Sequence, residues 1–183
     1  VGTVIVKHGN PCGVSLHKNN TNSFMLAHKC DPISAFGGIV SCNFKINKRL
    51  ATELNKLFFE VIIGIGFDKE ALAILKRKKN VRIINAKNYK VSDKKNFISN
   101  NNFILAQNPD IRNLKFNNFQ VVSKTKPTKK TFENLILAFH ICRFVKSNAI
   151  VLTSESSTVG IGSGQPSRLD SCNIAIKKMD TFQ

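Results

Sequence analysis

The chain is short of acids: 11 aspartates and glutamates stand against 28 lysines and arginines, leaving a formal charge of +17. It also lacks a run of about 18 apolar residues, the length a membrane-crossing helix needs. Its first residues do not follow the basic-then-apolar layout of a signal peptide. The expectation is a soluble protein that stays in the cytoplasm, with no membrane partner. The five cysteines, Cys12, Cys30, Cys42, Cys142 and Cys172, contain no C-x-x-C pair. Free thiols in a reducing compartment fit that irregular spacing.

Two site types are missing as well. A zinc deaminase needs H-x-E or C-x-E and, further on, P-C-x-x-C. Here Pro11 and Cys12 are followed by Gly13, Val14 and Ser15, so the second cysteine is absent. His28 and Cys30 could share an ion, but no third or fourth ligand lies near them in the chain, and no metal is expected. The glycine-rich stretch GIGSGQPSR does not match the phosphate-binding pattern G-x-x-x-x-G-K-[ST].

What is present suffices for a folded domain. With 183 residues, 42% of them hydrophobic, the chain can bury one substantial core or two small ones. A positive charge of this size raises the question of nucleic acid, because lysines that neutralise phosphates release counterions. The lysines, however, are scattered over nearly every segment. Lys, Asn and Ile together make roughly a third of the chain, a bias that codon drift in an AT-rich genome produces by itself. No specific nucleic acid is therefore expected, although a positive field favours small phosphates and carboxylates.

Apolar periodicity predicts a strand over residues 1–7, a helix over 23–30 that stops at Asp31 and Pro32, and a strand in FGGIVSCNF. A helix in NKRLATELNKLFF places Leu50, Leu54, Leu57 and Phe58 on one face. Then come the strand EVIIGIG, the helix DKEALAILKRK and the strand VRIINA. The alternation describes a first α/β unit over residues 1–86. Residues 87–119 are asparagine-rich and aperiodic and read as a polar loop or linker. Residues 120–183 read as the start of a second α/β unit, with a helix from Thr131 whose Leu135, Ala138, Phe139, Cys142 and Phe144 lie near one face. A strand from about Ala149, another at VGIG, a glycine turn and a closing helix complete it.

The stretches that carry chemistry each have a bland alternative. Lys7 and His8 end the first strand side by side, either as solvated strand-end residues or as two proton carriers held above the sheet edge. Asn10, Pro11, Cys12 and Gly13 have turn chemistry that would hold them there. DPISAFGGI is either an ordinary connection or a turn that lets backbone approach a ligand, with Phe36 free to stack on a flat ring. GIGSGQPSR is either a bare glycine turn or an anion cradle at a helix start, with the Arg168 guanidinium beside it.

KHGNPCGV, DPISAFGGIV, FFEVIIG, EALAILKRKKNVRII, VVSKTKPT, FVKSNAIV and VGIGSGQPSR occur in one order. In that order they resemble the transformylase part of a bifunctional purine-biosynthesis family. That family joins 5-aminoimidazole-4-carboxamide ribonucleotide (AICAR) formyltransferase to IMP cyclohydrolase. The resemblance runs through most of residues 4–179 and is thinnest over 88–118. It implies a cytidine-deaminase-like layered α/β fold, a mixed sheet flanked by helices, without zinc. It implies transfer of a formyl group from 10-formyltetrahydrofolate, as cosubstrate, to the 5-amino group of AICAR. Lys7 and His8 match the family's catalytic lysine and histidine, and Asn148 the asparagine that positions the reacting groups. Ser34, Phe36 and Gly37 match its nucleotide-contacting turn, Glu60 an acidic substrate contact, and Gln165 and Arg168 its GAGQ-x-SR segment.

Those residue types suit the implied chemistry. The amine of AICAR is conjugated with its ring and must lose a proton as it attacks, a task for a neutral imidazole. An ammonium and an amide donor, Lys7 and Asn148, would meet the oxyanion. The implied partners are AICAR and folate, with a homodimer or with family segments supplied elsewhere. The family's cyclohydrolase domain, an arginine-tyrosine phosphate-binding segment and later substrate-binding segments fall outside these residues, so a fragment or shortened form is expected. Asn101 and Asn102 stand where the family has glycines, and Gly64 and Ile65 where it has Ala-Pro. The rival expectation is a catalytically impaired basic remnant or binding module of the same fold, with nonspecific polyanion or nucleic-acid affinity.

Overall fold

The computed structural model describes residues 1–90, 95–112 and 114–183. They form two compact units, one of Val1–Lys87 with Pro127–Gln183, the other of Asn88–Lys126.

The first unit opens with a hairpin of β1 (Gly2–Lys7) and β2 (Asn10–Leu16). His8 and Gly9 join them with φ of 51° and 74°. Two positive φ angles in a two-residue loop make a type I′ turn, whose twist suits antiparallel strands. The expected turn at Asn10, Pro11, Cys12 and Gly13 is thereby corrected, because those residues are strand. Pro11 is tolerated where the register slips: Ile5 faces Gly13, Val6 faces Pro11, and Cys12 is the extra residue of a bulge.

Next comes α1 (Asn20–Lys29), which begins three residues earlier than periodicity indicates. The Asn19 side chain accepts the Asn22 N–H at 3.0 Å, so an asparagine-rich stretch serves as a cap. In chain order follow β3 (Gly38–Cys42), α2 (Lys48–Lys56), β4 (Phe59–Gly64), α3 (Lys69–Leu75) and β5 (Arg82–Asn85), close to the expected positions. The polar stretch holds β6 (Asn96–Asn100) and β7 (Phe103–Gln107). The first unit resumes with α4 (Lys129–Cys142), β8 (Ile150–Ser154), β9 (Ser157–Gly162) and α5 (Arg168–Phe182).

Among the described residues, seven strands make one sheet in the order β5, β4, β3, β1, β2, β9, β8. β3, β4 and β5 run parallel and the remaining neighbours antiparallel. This is the mixed sheet flanked by helices that the family resemblance implies. Ile5, Phe24, Val40, Leu50, Leu54, Phe59 and Ile62 are fully buried in the larger core cluster, and Cys30, Ile141, Val145 and Ile161 form a smaller one.

The core face of α4 differs from expectation. Leu135, Phe139 and Phe144 are more than half exposed, while Leu137, Ile141 and Val145 meet the smaller cluster. The stretch LILAFHIC is apolar on several sides, so spacing cannot choose the face that packs.

In the second unit, β6 and β7 pair antiparallel from Asn96 opposite Gln107 to Asn100 opposite Phe103. Both strands are short and flanked by asparagines, so neither stands out in the sequence. Residues 91–94 and 113 of the stretch read as loop or linker lie outside the described residues.

A half-buried imidazole in the first unit makes a test of the packing. His28 lies against the rings of Phe24 and Phe59, at 5.9 and 6.5 Å between centroids. Burial holds its pKa below the ordinary 6.5. The folded chain therefore binds fewer protons than the unfolded chain just below that value. Stability is complete above pH 6.5, is lost as pH falls through the lower folded value, and levels off beneath it. Urea denaturation between pH 7.5 and 5 should show a smaller loss for His28→Leu than for the parent.

Candidate functional site

The β1–β2 hairpin ends at a cavity of about 200 Å³ lined by Lys7, His8, Asn10, Pro11, Cys12, Asp31, Ser34, Ile161, Ser163 and Lys178. Four segments distant in sequence meet there. Pairing between β2 and β9 is reduced to Ser15 opposite Ser157, and the Thr158 hydroxyl bridges the N–H and carbonyl of Val14 at 2.9 and 3.2 Å. Beyond that point no pairing joins the two strands among the described residues, and Pro11, Cys12 and Ile161 border the cavity. β1 runs antiparallel to β3, so its C-terminal end lies at the N-terminal edge of the parallel strands. The cavity therefore departs from the common rule that ligands sit at the carboxyl ends of parallel strands.

Lys7 carries the main link. Its Nζ donates to the Phe36 carbonyl at 2.6 Å, and a Cβ on Gly37 would stand 3.0 Å from the same nitrogen. Gly37 has φ of +67°, which an L side chain rarely adopts. The Gly37 N–H donates to the Phe58 carbonyl at 2.9 Å. The Phe36 ring is 67% exposed and 5.3 Å from the Phe58 ring, which supports it from one side. His8 is exposed at the turn and faces the cavity beside Lys7. Ser34 lines the cavity too, and its N–H donates to Asp31 Oδ1 at 3.0 Å.

The Asn148 amide is turned away from the donor position expected of it. Its Nδ2 donates to the carbonyls of Gln165 at 2.9 Å and Pro166 at 2.8 Å, while its own carbonyl accepts the Ser171 hydroxyl at 2.8 Å. Both amide hydrogens are spent on the loop, leaving Oδ1, an acceptor, as the free end of the amide. That loop adjoins the hairpin: the Lys146 N–H donates to Asn10 Oδ1 at 3.0 Å, and the Gly164 N–H to the Lys146 carbonyl at 2.8 Å. Gln165 donates to the Ser163 carbonyl at 3.3 Å. Glu60 lies exposed on β4, and Arg168 lies exposed in the first turn of α5 behind its cap, Ser167. Neither lines the cavity.

The glycine segment also departs from an anion cradle. Gly160 and Gly162 are buried in β9, where a Cβ would stand 2.1 Å from the Ala175 carbonyl oxygen and 1.8 Å from that of Ser171. They let α5 approach the strand. Gly164, with φ of +69°, is the one in a turn.

Two charged residues of the cavity, Asp31 and Lys178, are not singled out by their chemistry in the sequence, and Cys12 enters there only as a free thiol, a turn residue and a zinc ligand without a second cysteine. Asp31 and Lys178 form an ion pair at 2.6 Å, oriented outside good hydrogen-bond geometry, with the Asp31 side chain 3% exposed. Burial pushes the Asp31 carboxyl up, but Lys178 and the bonds from Ser34 outweigh it and hold the group below its ordinary value. Burial, and then the Asp31 charge, raise the Cys12 thiol to about 11, so it is protonated at neutral pH. Lys178 sits in a lysine-bearing tail that looks like a solvated helix face. Nothing local in the chain pairs it with Asp31.

All five cysteines are unpaired. Among the described residues, no group of three or more His, Cys, Asp or Glu is placed to hold a metal ion. No described helix is long and apolar enough to cross a membrane.

The family described as "AICARFT/IMPCHase bienzyme" matches residues 1–178. Proteins named "Bifunctional purine biosynthesis protein PurH" are similar along nearly the whole chain. That of Fusobacterium nucleatum is 43% identical over 173 residues, covering 94% of this chain and 34% of its own length. That of Thermoanaerobacter sp. is 44% identical over 177 residues, 96% of this chain and 34% of the relative. That of Aquifex aeolicus is 40% identical over 178 residues, 97% and 34%. The chain thus spans about a third of the length of the curated relatives it matches.

Proposed function

The chain belongs to the AICARFT/IMPCHase bienzyme family, and from that premise we propose that its cavity is the formyl-transfer site of a purine-biosynthesis enzyme. The reaction moves the formyl group of 10-formyltetrahydrofolate to the 5-amino group of AICAR. The observation that carries the reading is the bond from Lys7 to the Phe36 carbonyl, which ties the Lys-His pair lining the cavity to the Ser-Ala-Phe-Gly turn, whose Ser34 lines it too.

In this reading the amine nitrogen of AICAR attacks the formyl carbon while His8 takes its proton. The carbonyl electrons move to oxygen, and the Lys7 ammonium balances the charge that forms there. When the intermediate collapses, the bond between the formyl carbon and the folate nitrogen breaks, and the proton held by His8 passes to that nitrogen. Phe36 offers an exposed face to a flat ring, and Ser34 a hydroxyl. Asn148 acts by holding the loop at Gln165, and Glu60, Gln165 and Arg168 belong to the proposal as outer substrate contacts. A cytoplasmic setting and a homodimer, or further polypeptide such as the longer relatives contain, belong to it as well.

A second reading is binding without turnover: the cavity of about 200 Å³ is below the roughly 300–1,000 Å³ of sites that enclose a drug-sized ligand, so by itself it does not enclose both substrates. Incubation of the purified chain with both substrates, alongside calorimetry with AICAR alone, separates the readings. Formylated product supports transfer. AICAR binding without product supports the binding module. Neither, with DNA affinity that falls steeply as salt rises, supports the polyanion remnant.

A further inference from the structure

A continuous chain of contacts leads from α5 to the Lys7 ammonium. Lys178 Nζ is 2.6 Å from Asp31 Oδ2, and Asp31 Oδ1 accepts the Ser34 N–H at 3.0 Å. The Asp31 carbonyl accepts the Ala35 N–H at 3.1 Å, and the Ala35 carbonyl accepts the Gly38 N–H at 3.0 Å. Between those two bonds lies Phe36, whose carbonyl holds Lys7 at 2.6 Å. Asp31 is thus the point at which the end of α1, the turn over residues 31–37 and α5 are tied together. Its side chain is almost wholly buried, and that of Lys178 is 30% exposed. A charge in that position persists only because it is paired.

We infer that Asp31, held by Lys178, is a positioning residue: it fixes the turn over residues 31–37 so that the Phe36 carbonyl is set where it grips Lys7. The inference rests on the proposed role of Lys7 for its functional meaning, but its physical content can be read without catalysis. Cys12 supplies a reporter. It borders the same cavity, and its thiol is raised by the Asp31 carboxylate and lowered by the Lys178 ammonium, behind a larger effect of burial.

Four forms of the full chain test this: the parent, Asp31→Asn, Lys178→Met and the double variant. Asn keeps an acceptor for Ser34 and removes only the charge, while the double variant leaves neither charge unpaired. Hydrogen exchange at the Ser34, Ala35, Gly37 and Gly38 amides is expected to speed at least about tenfold in each single variant and to recover in part in the double variant. The pH profile of Cys12 alkylation, followed by mass spectrometry, should move to lower pH in Asp31→Asn and to higher pH in Lys178→Met. General loosening of the fold would move both in one direction by relieving burial. Unchanged exchange in the single variants, or alkylation profiles that shift together, overturns the inference. Protection of Cys12 by AICAR in the parent is a separate arm. If AICAR gives none, the formyl-transfer reading fails, while the exchange and alkylation results still decide the role of Asp31.

Discussion

Replacing His8 by glycine is expected to lower kcat for formyl transfer by about 10²- to 10⁴-fold, the range for losing a general base, with little change in KM for AICAR. Glycine is the informative choice because His8 has φ of 51°. Alanine there would keep the left-handed strain of roughly 1–2 kcal/mol that an L residue bears while losing the contacts of the imidazole, whereas glycine adopts this φ freely. A rate lost through unfolding is thus separated from a rate lost with the imidazole. The measurement is steady-state turnover of a form of the protein that converts AICAR, with urea denaturation of parent and variant in parallel. Parental kcat in His8→Gly would withdraw the general-base role. A rise in KM alone would make His8 a binding residue.

The largest effect on stability is expected at Gly162. A side chain at this position would point at the backbone of α5, with its Cβ 1.8 Å from the Ser171 carbonyl oxygen. Helix backbone cannot swing aside as a side-chain tip can, so Gly162→Ala must push α5 off β9 or bend the strand. Overpacking of a well-filled site costs about 1–3 kcal/mol and occasionally more. A clash with backbone on this scale belongs at or above the top of that range. Gly164→Ala is the control: its Cβ would meet nothing within 4 Å, and only the φ of +69° opposes it, at roughly 1–2 kcal/mol. Urea denaturation of the two variants should therefore differ clearly, with Gly162→Ala the less stable. If Gly162→Ala were as stable as the parent and lost only anion affinity, the glycine segment would be a cradle after all.

Much of the first unit is legible in the sequence because its elements are local. Leu50 and Leu54 recur at helical spacing and are buried as that spacing requires. Asn47 caps α2 by accepting the Leu50 N–H at 3.0 Å. The hairpin turn lies a few residues before the place composition indicates. Asn-Pro-Cys-Gly has the residue types of a turn, whereas the bond pattern puts the turn at His8 and Gly9 and absorbs Pro11 beside a bulge. Asn148 is legible as a residue with a task, but its task depends on which groups surround it. Two backbone carbonyls face its amide hydrogens.

By itself the sequence determined the alternation of strands and helices, the residue types at the Lys-His pair and the Ser-Ala-Phe-Gly turn, and the family to which their order belongs. These are properties of spacing, and spacing is written along the chain. Only the tertiary structure decided that Lys7 bonds to the Phe36 carbonyl, that Asp31 finds Lys178, and that Gly160 and Gly162 serve close packing of α5. Each of those contacts depends on strand order and on which helices pack against the sheet. Those are set by packing between distant segments, for which no local pattern of two or 3.6 residues carries a signal.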